Sequence, residues 1–156
     1  MQSAQNVSSS NPFSKLCIVS VILFAYFLGA HAFVPFAKQT ALAEFQGQLQ
    51  AEYDADNTAY FNGKLPPAVV RMAEIPADDK GNYFLGTSGR GLFGAFEIVI
   101  DPRLNPAAQT AHATLLHEEC HFEAWEKTGD FDPGHGAAFQ ACRQKLLDAG
   151  AMKEIF

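Results

Sequence analysis

The chain has 156 residues, a length that fits a single domain. Its 17 acidic and 11 basic residues give a net charge of −6, which argues against a protein that binds nucleic acid by neutralising phosphates. With 48% hydrophobic and 18% charged residues the composition is globular, and three cysteines are too few for a disulfide scaffold or a four-cysteine zinc site.

Residues 1–37 combine a polar tail with an apolar segment. No charged residue occurs from Leu16 to Ala37, and a helix of this length would span about 33 Å, enough to cross a bilayer. Lys15 before the segment and the small-x-small triplet at 30–32 are typical of a secretory signal peptide. A cleaved signal peptide and an uncleaved membrane anchor both stay open. Either one predicts a membrane-anchored or secreted protein, with the domain at 38–156 outside the cytoplasm.

The first half of that domain predicts one helix and three short strands. Apolar residues at helical spacing predict a helix from Thr40 to Phe61, although Asp56 interrupts the apolar stripe. The turn pair Asn62-Gly63 ends it. Strands are predicted at 68–72, 83–85 and 95–100. The Gly-rich residues 86–94 lack a phosphate-loop ending and are predicted to connect the last two strands as a hairpin.

The second half predicts two helices. The first runs from about Pro106 to Lys127, with Asn105 as its N-cap, and the second from about Gly136 to Ala149. The order of elements predicts an α+β domain that contains an N-terminal helix, a small sheet of about three strands and two further helices.

The sequence His-Glu-Glu-Cys-His at 117–121 is an instance of the H-E-x-x-H motif inside the first of these two helices. Residues four apart lie on one helix face, so His117 and His121 can offer two nitrogens to a zinc ion. Glu118 directly follows the first ligand and can act as the general base on a zinc-bound water. The motif therefore predicts zinc as cofactor, with Glu118 as the catalytic residue.

A third ligand must come from elsewhere in the chain. The long metzincin spacing would need Gly and His where the sequence has Ala124 and Lys127. Glu154 is the one glutamate after the motif helix, and it lies at the chain end. His135, flanked by glycines at the start of the last helix, is the better candidate. His112 is about 140° around the helix from His117 and is predicted to face elsewhere.

Three motifs in this order resemble the SprT-like zinc metallopeptidases: Tyr-Phe-Asn-Gly-Lys-Leu-Pro at 60–66, the H-E-x-x-H motif at 117–121, and Gly-His-Gly-Ala-Ala-Phe at 134–139. The resemblance covers roughly residues 40–150. It implies a minimal zincin-like fold, zinc on His117, His121 and His135, and Glu118 as general base. Some members of the family cut proteins crosslinked to DNA, but the acidic charge and the N-terminal apolar segment argue against carrying over that role.

The sequence thus predicts a zinc metallopeptidase that acts on protein or peptide substrates, tethered to a membrane if the N-terminal segment is retained. A substrate peptide is predicted to lie along the 95–100 strand. Two alternatives stay open, a zinc hydrolase of non-peptide amides or esters and a non-catalytic zinc-containing binding module. Cys120 and Cys142 fall on helices that should pack together, and two buried thiols are favoured over a disulfide.

Overall fold

The computed structural model describes residues 43–91, 93–130 and 134–152. These residues form an α+β fold of three helices and a three-stranded mixed sheet, as the sequence predicts. In chain order the elements are α1 (helical over 43–61), β1 (Ala68–Met72), β2 (Gly86–Arg90), β3 (Phe96–Ile100), α2 (Ala108–Thr128) and α3 (Ala137–Asp148).

The predicted N-terminal targeting or anchor segment lies outside the described residues, as does the domain boundary predicted at residue 38. Within the described ranges, no helix has both the length and the apolar character that a membrane span requires.

The sheet has the strand order β1-β3-β2, in which β1 is parallel to β3 and β2 is antiparallel to it. The side chain of Gln50 in α1 forms hydrogen bonds with backbone groups at the outer edge of β1. Val70 N–H donates to Gln50 Oε1 (2.9 Å), and Gln50 Nε2 donates to the Ala68 carbonyl (3.2 Å). Among the described strands, none pairs with the outer edge of β2. In the described part of the chain, the sheet therefore has one edge covered by a helix and one edge without a partner strand.

The predicted strand at 83–85 is wrong, and so is the interpretation of 86–94 as a connection alone. Gly86 to Arg90 form β2, which pairs residue for residue with Ile100 to Phe96 of the buried strand β3. The side chains of Tyr83, Phe84 and Leu85 are exposed instead. Strand propensity favoured the aromatic segment, but β2 packs against α2 so closely that small residues are required there.

Asp56, which interrupts the apolar stripe of α1, forms a hydrogen bond with a residue of α2. Leu49 and Tyr53 of α1 are buried in the core, and Asp56 is buried beside them. Asp56 Oδ2 lies 2.7 Å from His112 Nε2 of α2, and this hydrogen bond raises the pKa of His112. His112 therefore pairs with α1 and faces away from the H-E-x-x-H histidines, as predicted.

Asn105 does not cap α2, because the helix begins two residues later with Ala107 at the N-cap position. The Asn105 side chain is buried and donates through Nδ2 to the carbonyls of Leu85 (2.8 Å) and Asp101 (2.9 Å). It thereby holds the entry to β2 against the end of β3. The correction arises because a capping residue type also suits a buried position that must satisfy several backbone groups.

A disulfide joins Cys120 of α2 to Cys142 of α3, where two separate thiols were favoured from the sequence. Both cysteines are fully buried, and the bond spans 22 residues of sequence. Closing a loop of this length restricts the unfolded chain and stabilises the fold by about 3 kcal/mol.

We expect reduction of this bond to lower the free energy of unfolding by about 3 kcal/mol. Urea denaturation of the wild-type chain with and without reductant measures the effect. The double variant C120A/C142A adds the cost of two small voids and should be at least as unstable as the reduced wild type. Equal stability of the oxidised and reduced chains would contradict the expectation.

Candidate metal centre

The three predicted zinc ligands lie together. His117 and His121 project from one face of α2, with ring centroids 5.1 Å apart, and His135 comes from the turn that precedes α3. The Nε2 atoms of His117 and His135 are 3.1 Å apart, and one nitrogen of each of the three rings lies within 4.8 Å of the other two. They are close enough to bind one metal ion.

Phe139 of α3 packs against the rings of the three histidines. Its buried ring lies 4.8 Å from the ring of His117, 4.6 Å from that of His121 and 4.4 Å from that of His135, measured between centroids. Through Phe139, α3 contacts all three imidazoles. The contact limits the ring orientations available to the histidines.

The donor set fits a metal such as zinc. Tetrahedral zinc with bonds of about 2.0–2.1 Å holds its nitrogens about 3.3 Å apart, close to the 3.1 Å between His117 and His135. Burial, with the neighbouring His121 and His135, lowers the pKa of His117 to about 4. Its imidazole is therefore neutral at neutral pH, the form that binds a metal. Within the described residues, this is the one group of three metal-ligating side chains found.

Glu118 is buried on α2 and lines the same cavity of about 320 Å³ as the three histidines. Burial raises the pKa of its carboxyl to about 7, and a hydrogen bond from Ser88 opposes part of this increase. Ser88 Oγ of β2 donates to Glu118 Oε2 at 2.8 Å. One carboxyl oxygen is thus held by the edge strand, and a pKa near 7 suits proton transfer at neutral pH.

Gly86 allows β2 to approach this carboxyl. A Cβ atom at Gly86 would lie 2.7 Å from Thr114 Cγ2 and 3.1 Å from Glu118 Oε1. Both distances are shorter than ordinary van der Waals contact, so any other residue would push β2 away from α2. Gly86 and Ser88 together fix the position of Glu118 from the sheet side.

We expect Gly86→Ala to destabilise the fold by about 1–3 kcal/mol, because the added methyl overpacks the contact between β2 and α2. Urea denaturation measures the change. The control is Gly47→Ala in α1, where no atom lies within 4 Å of the new Cβ and higher helix propensity should stabilise by about 0.5–1 kcal/mol. Equal effects of the two substitutions would contradict the close contact at Gly86.

Sequence reasoning missed several residues of the site. The sequence predicts Gly86 and Ser88 only as part of a connection, and it assigns no role to Phe122 and Trp125, which also line the cavity. No spacing signal identifies Ser88, because its contact to Glu118 crosses 30 residues of sequence. Phe139 belongs to the Gly-His-Gly-Ala-Ala-Phe motif at 134–139, but the motif did not indicate that its ring contacts the three histidines.

The other two residues of the motif face away from the histidines. The Cys120 sulfur is bonded to Cys142 and is therefore not available as a metal ligand. Glu119 is fully buried, both of its carboxyl oxygens lack a hydrogen-bond partner, and burial raises its pKa to about 10. Its carboxyl is therefore neutral at pH 7 and belongs to the packed interior.

No protein-family model matches this sequence, and no match was found among curated proteins or solved structures. The resemblance to the SprT-like metallopeptidases accordingly stays a prediction from the three motifs.

Proposed function

We propose that the chain is a zinc-dependent peptidase with a minimal zincin-like domain of the SprT type. The observation that carries the proposal is the convergence of His117, His121 and His135 beside the buried carboxyl of Glu118 in one cavity. Three histidine ligands are typical of catalytic zinc sites, which keep a coordination position open.

Each residue of the site has a separate role in this proposal. The three histidines would hold zinc, which when bound polarises a carbonyl group and acidifies a water molecule. Glu118 accepts the proton of the attacking water and later returns it to the leaving amine. Ser88 orients Glu118 by occupying Oε2, so that Oε1 is the oxygen available for the proton.

The sheet edge supports a peptide as substrate. The sequence-based expectation that a peptide pairs with the 95–100 strand is wrong, because β3 is the central strand and is paired on both sides. The edge without a partner strand belongs to β2, and its residues Gly86, Thr87 and Ser88 line the cavity of the histidines. An extended peptide that pairs with β2 would pass along the metal site.

These features favour a peptidase over the two alternatives. A structural zinc site is closed by four ligands, whereas the described residues bring three together. A hydrolase of small amides or esters would share the three histidines and Glu118 but would have no use for an open strand edge. The buried disulfide further supports a location outside the cytoplasm, where such bonds persist.

Removal and return of the metal tests the proposal. We expect the purified chain to contain about one zinc and to cleave an unfolded protein such as casein. Chelation should abolish cleavage, and a stoichiometric amount of Zn²⁺ should restore it. Fragments separated by electrophoresis, together with elemental analysis, provide the measurement. Cleavage that persists in the zinc-free chain would contradict the proposal, as would a zinc-loaded chain that cleaves neither proteins nor peptides.

A further inference from the structure

A second cavity, of about 430 Å³, adjoins the metal site. His117, Glu118, Phe84 and Gly86 line both this cavity and the one that holds the three histidines, so the two are neighbours across these residues. The second cavity extends from there toward the start of α2. Its volume lies within the range of roughly 300–1,000 Å³ that is usual for ligand pockets.

The neutral polar side chains in its wall have their hydrogen bonds within the protein. Thr114 Oγ1 donates to Asn105 Oδ1 at 2.7 Å, and Asn105 Nδ2 donates to two backbone carbonyls. Thr110 Oγ1 donates to the Ala107 carbonyl at 2.8 Å. These groups gain little from a polar ligand, because a new hydrogen bond would replace one that already exists.

Exposed apolar side chains form much of the remaining wall. Tyr83, Phe84, Leu85 and Leu104 all line the cavity, and all are among the large hydrophobic residues that the fold leaves exposed. The side chain of Ala113 lies deeper in the wall. An apolar group placed among them would remove this surface from water at roughly 25 cal/mol for each Å².

We propose that this cavity binds a large apolar side chain, such as leucine or phenylalanine, of the substrate residue next to the cleaved peptide bond. The inference rests on the proposed peptidase function. It assigns a substrate class to the site, namely extended peptides with a large apolar residue beside the cleaved bond. His117 and Glu118 line both cavities, so the second cavity lies next to the reacting groups. The substrate residue whose side chain enters it must therefore be one that flanks the cleaved peptide bond.

The test uses the full zinc-loaded chain and two series of internally quenched peptides. In each series one position flanking the cleaved bond is varied among Leu, Phe, Ala and Asp. For one of the two positions we expect kcat/KM to be about tenfold higher with Leu or Phe than with Ala. Leu85→Ala should reduce this preference to about threefold, and Thr110→Phe, which fills the cavity, should remove it.

Val69→Ala is the matched control, because Val69 and Leu85 are both 54% exposed but Val69 lies outside this cavity. It should leave the preference unchanged. Two results would overturn the inference and leave the proposed function intact. One is a wild-type chain that cleaves Ala and Leu peptides equally, and the other is a preference that neither Leu85→Ala nor Thr110→Phe changes.

If the zinc-loaded wild-type chain cleaves neither casein nor any of these peptides, the proposed function fails and the cavity is tested by a binding measurement. Fluorescence anisotropy of the same peptides, labelled with a dye, then serves as readout. Tighter binding of Leu than of Ala peptides that is lost in Thr110→Phe supports the cavity as an apolar binding site. Equal binding of the two overturns it.

Discussion

Glu118→Gln is expected to lower kcat/KM for peptide cleavage by at least 100-fold, up to about 10⁴-fold, while the chain keeps one zinc. Glutamine has nearly the shape of glutamate and can still accept a hydrogen bond from Ser88 through its amide oxygen. It cannot accept the proton of the attacking water. Rate measurements on a quenched peptide, with elemental analysis of the same sample, separate loss of the base from loss of the metal.

The neighbouring Glu119 provides the matched control. It is the next residue on α2, is also buried and lies away from the histidines. Because its raised pKa keeps the carboxyl neutral at pH 7, Glu119→Gln replaces one neutral group by another of similar size. Cleavage and zinc content should both stay close to wild type. If Glu118→Gln retained wild-type activity with zinc bound, Glu118 would not be the general base.

His135→Ala is expected to weaken zinc binding by at least about 100-fold, because it removes one of three ligands. Even the loss of a residue that only orients a ligand costs roughly 10- to 100-fold in metal affinity. Cleavage should fall in parallel at limiting zinc. Competition with a chromogenic chelator measures the affinity, and denaturation of the zinc-free chain checks that the exposed His135 position contributes little to folding.

His112→Gln is the control for this experiment, since it removes a histidine of α2 that pairs with Asp56 and not with the metal ligands. Its zinc affinity should match that of the wild-type chain, although the fold should lose some stability where glutamine replaces the ionic hydrogen bond. Equal zinc affinity of His135→Ala and the wild type would show that the metal does not depend on His135.

The extent of the helices and the three histidines of the candidate metal site were predictable because their signals are local. The end of α1 at Phe61 follows from the turn pair, in which Asn62 has a φ of 56° and Gly63 a φ of 69°. Four-residue spacing on a helix places His117 beside His121. The flanking glycines and the following turn indicated His135, and the structure brings it within hydrogen-bond distance of His117.

The features that were missed depend on contacts between distant parts of the chain. Strand β2 has low intrinsic propensity and exists because β3 pairs with it and α2 requires a glycine at residue 86. Asp56 interrupts the apolar stripe of α1, and the sequence does not show the reason, because its partner His112 lies 56 residues later. The same applies to the pairing of Cys120 with Cys142, since sequence alone does not show that two cysteines are adjacent.

The bond between Cys120 and Cys142 makes residues 120–142 a covalent ring, and two of the three histidines of the candidate metal site, His121 and His135, are members of it. In the terms of coordination chemistry, this ring is a macrocycle that carries two of the donor groups as pendant arms, and His117 is attached just outside it. The ring persists when the packing of the fold is lost, so the oxidised unfolded chain keeps two ligands tethered. We therefore expect zinc to keep some affinity for the oxidised unfolded chain and to add less to folding stability than it does in the reduced chain.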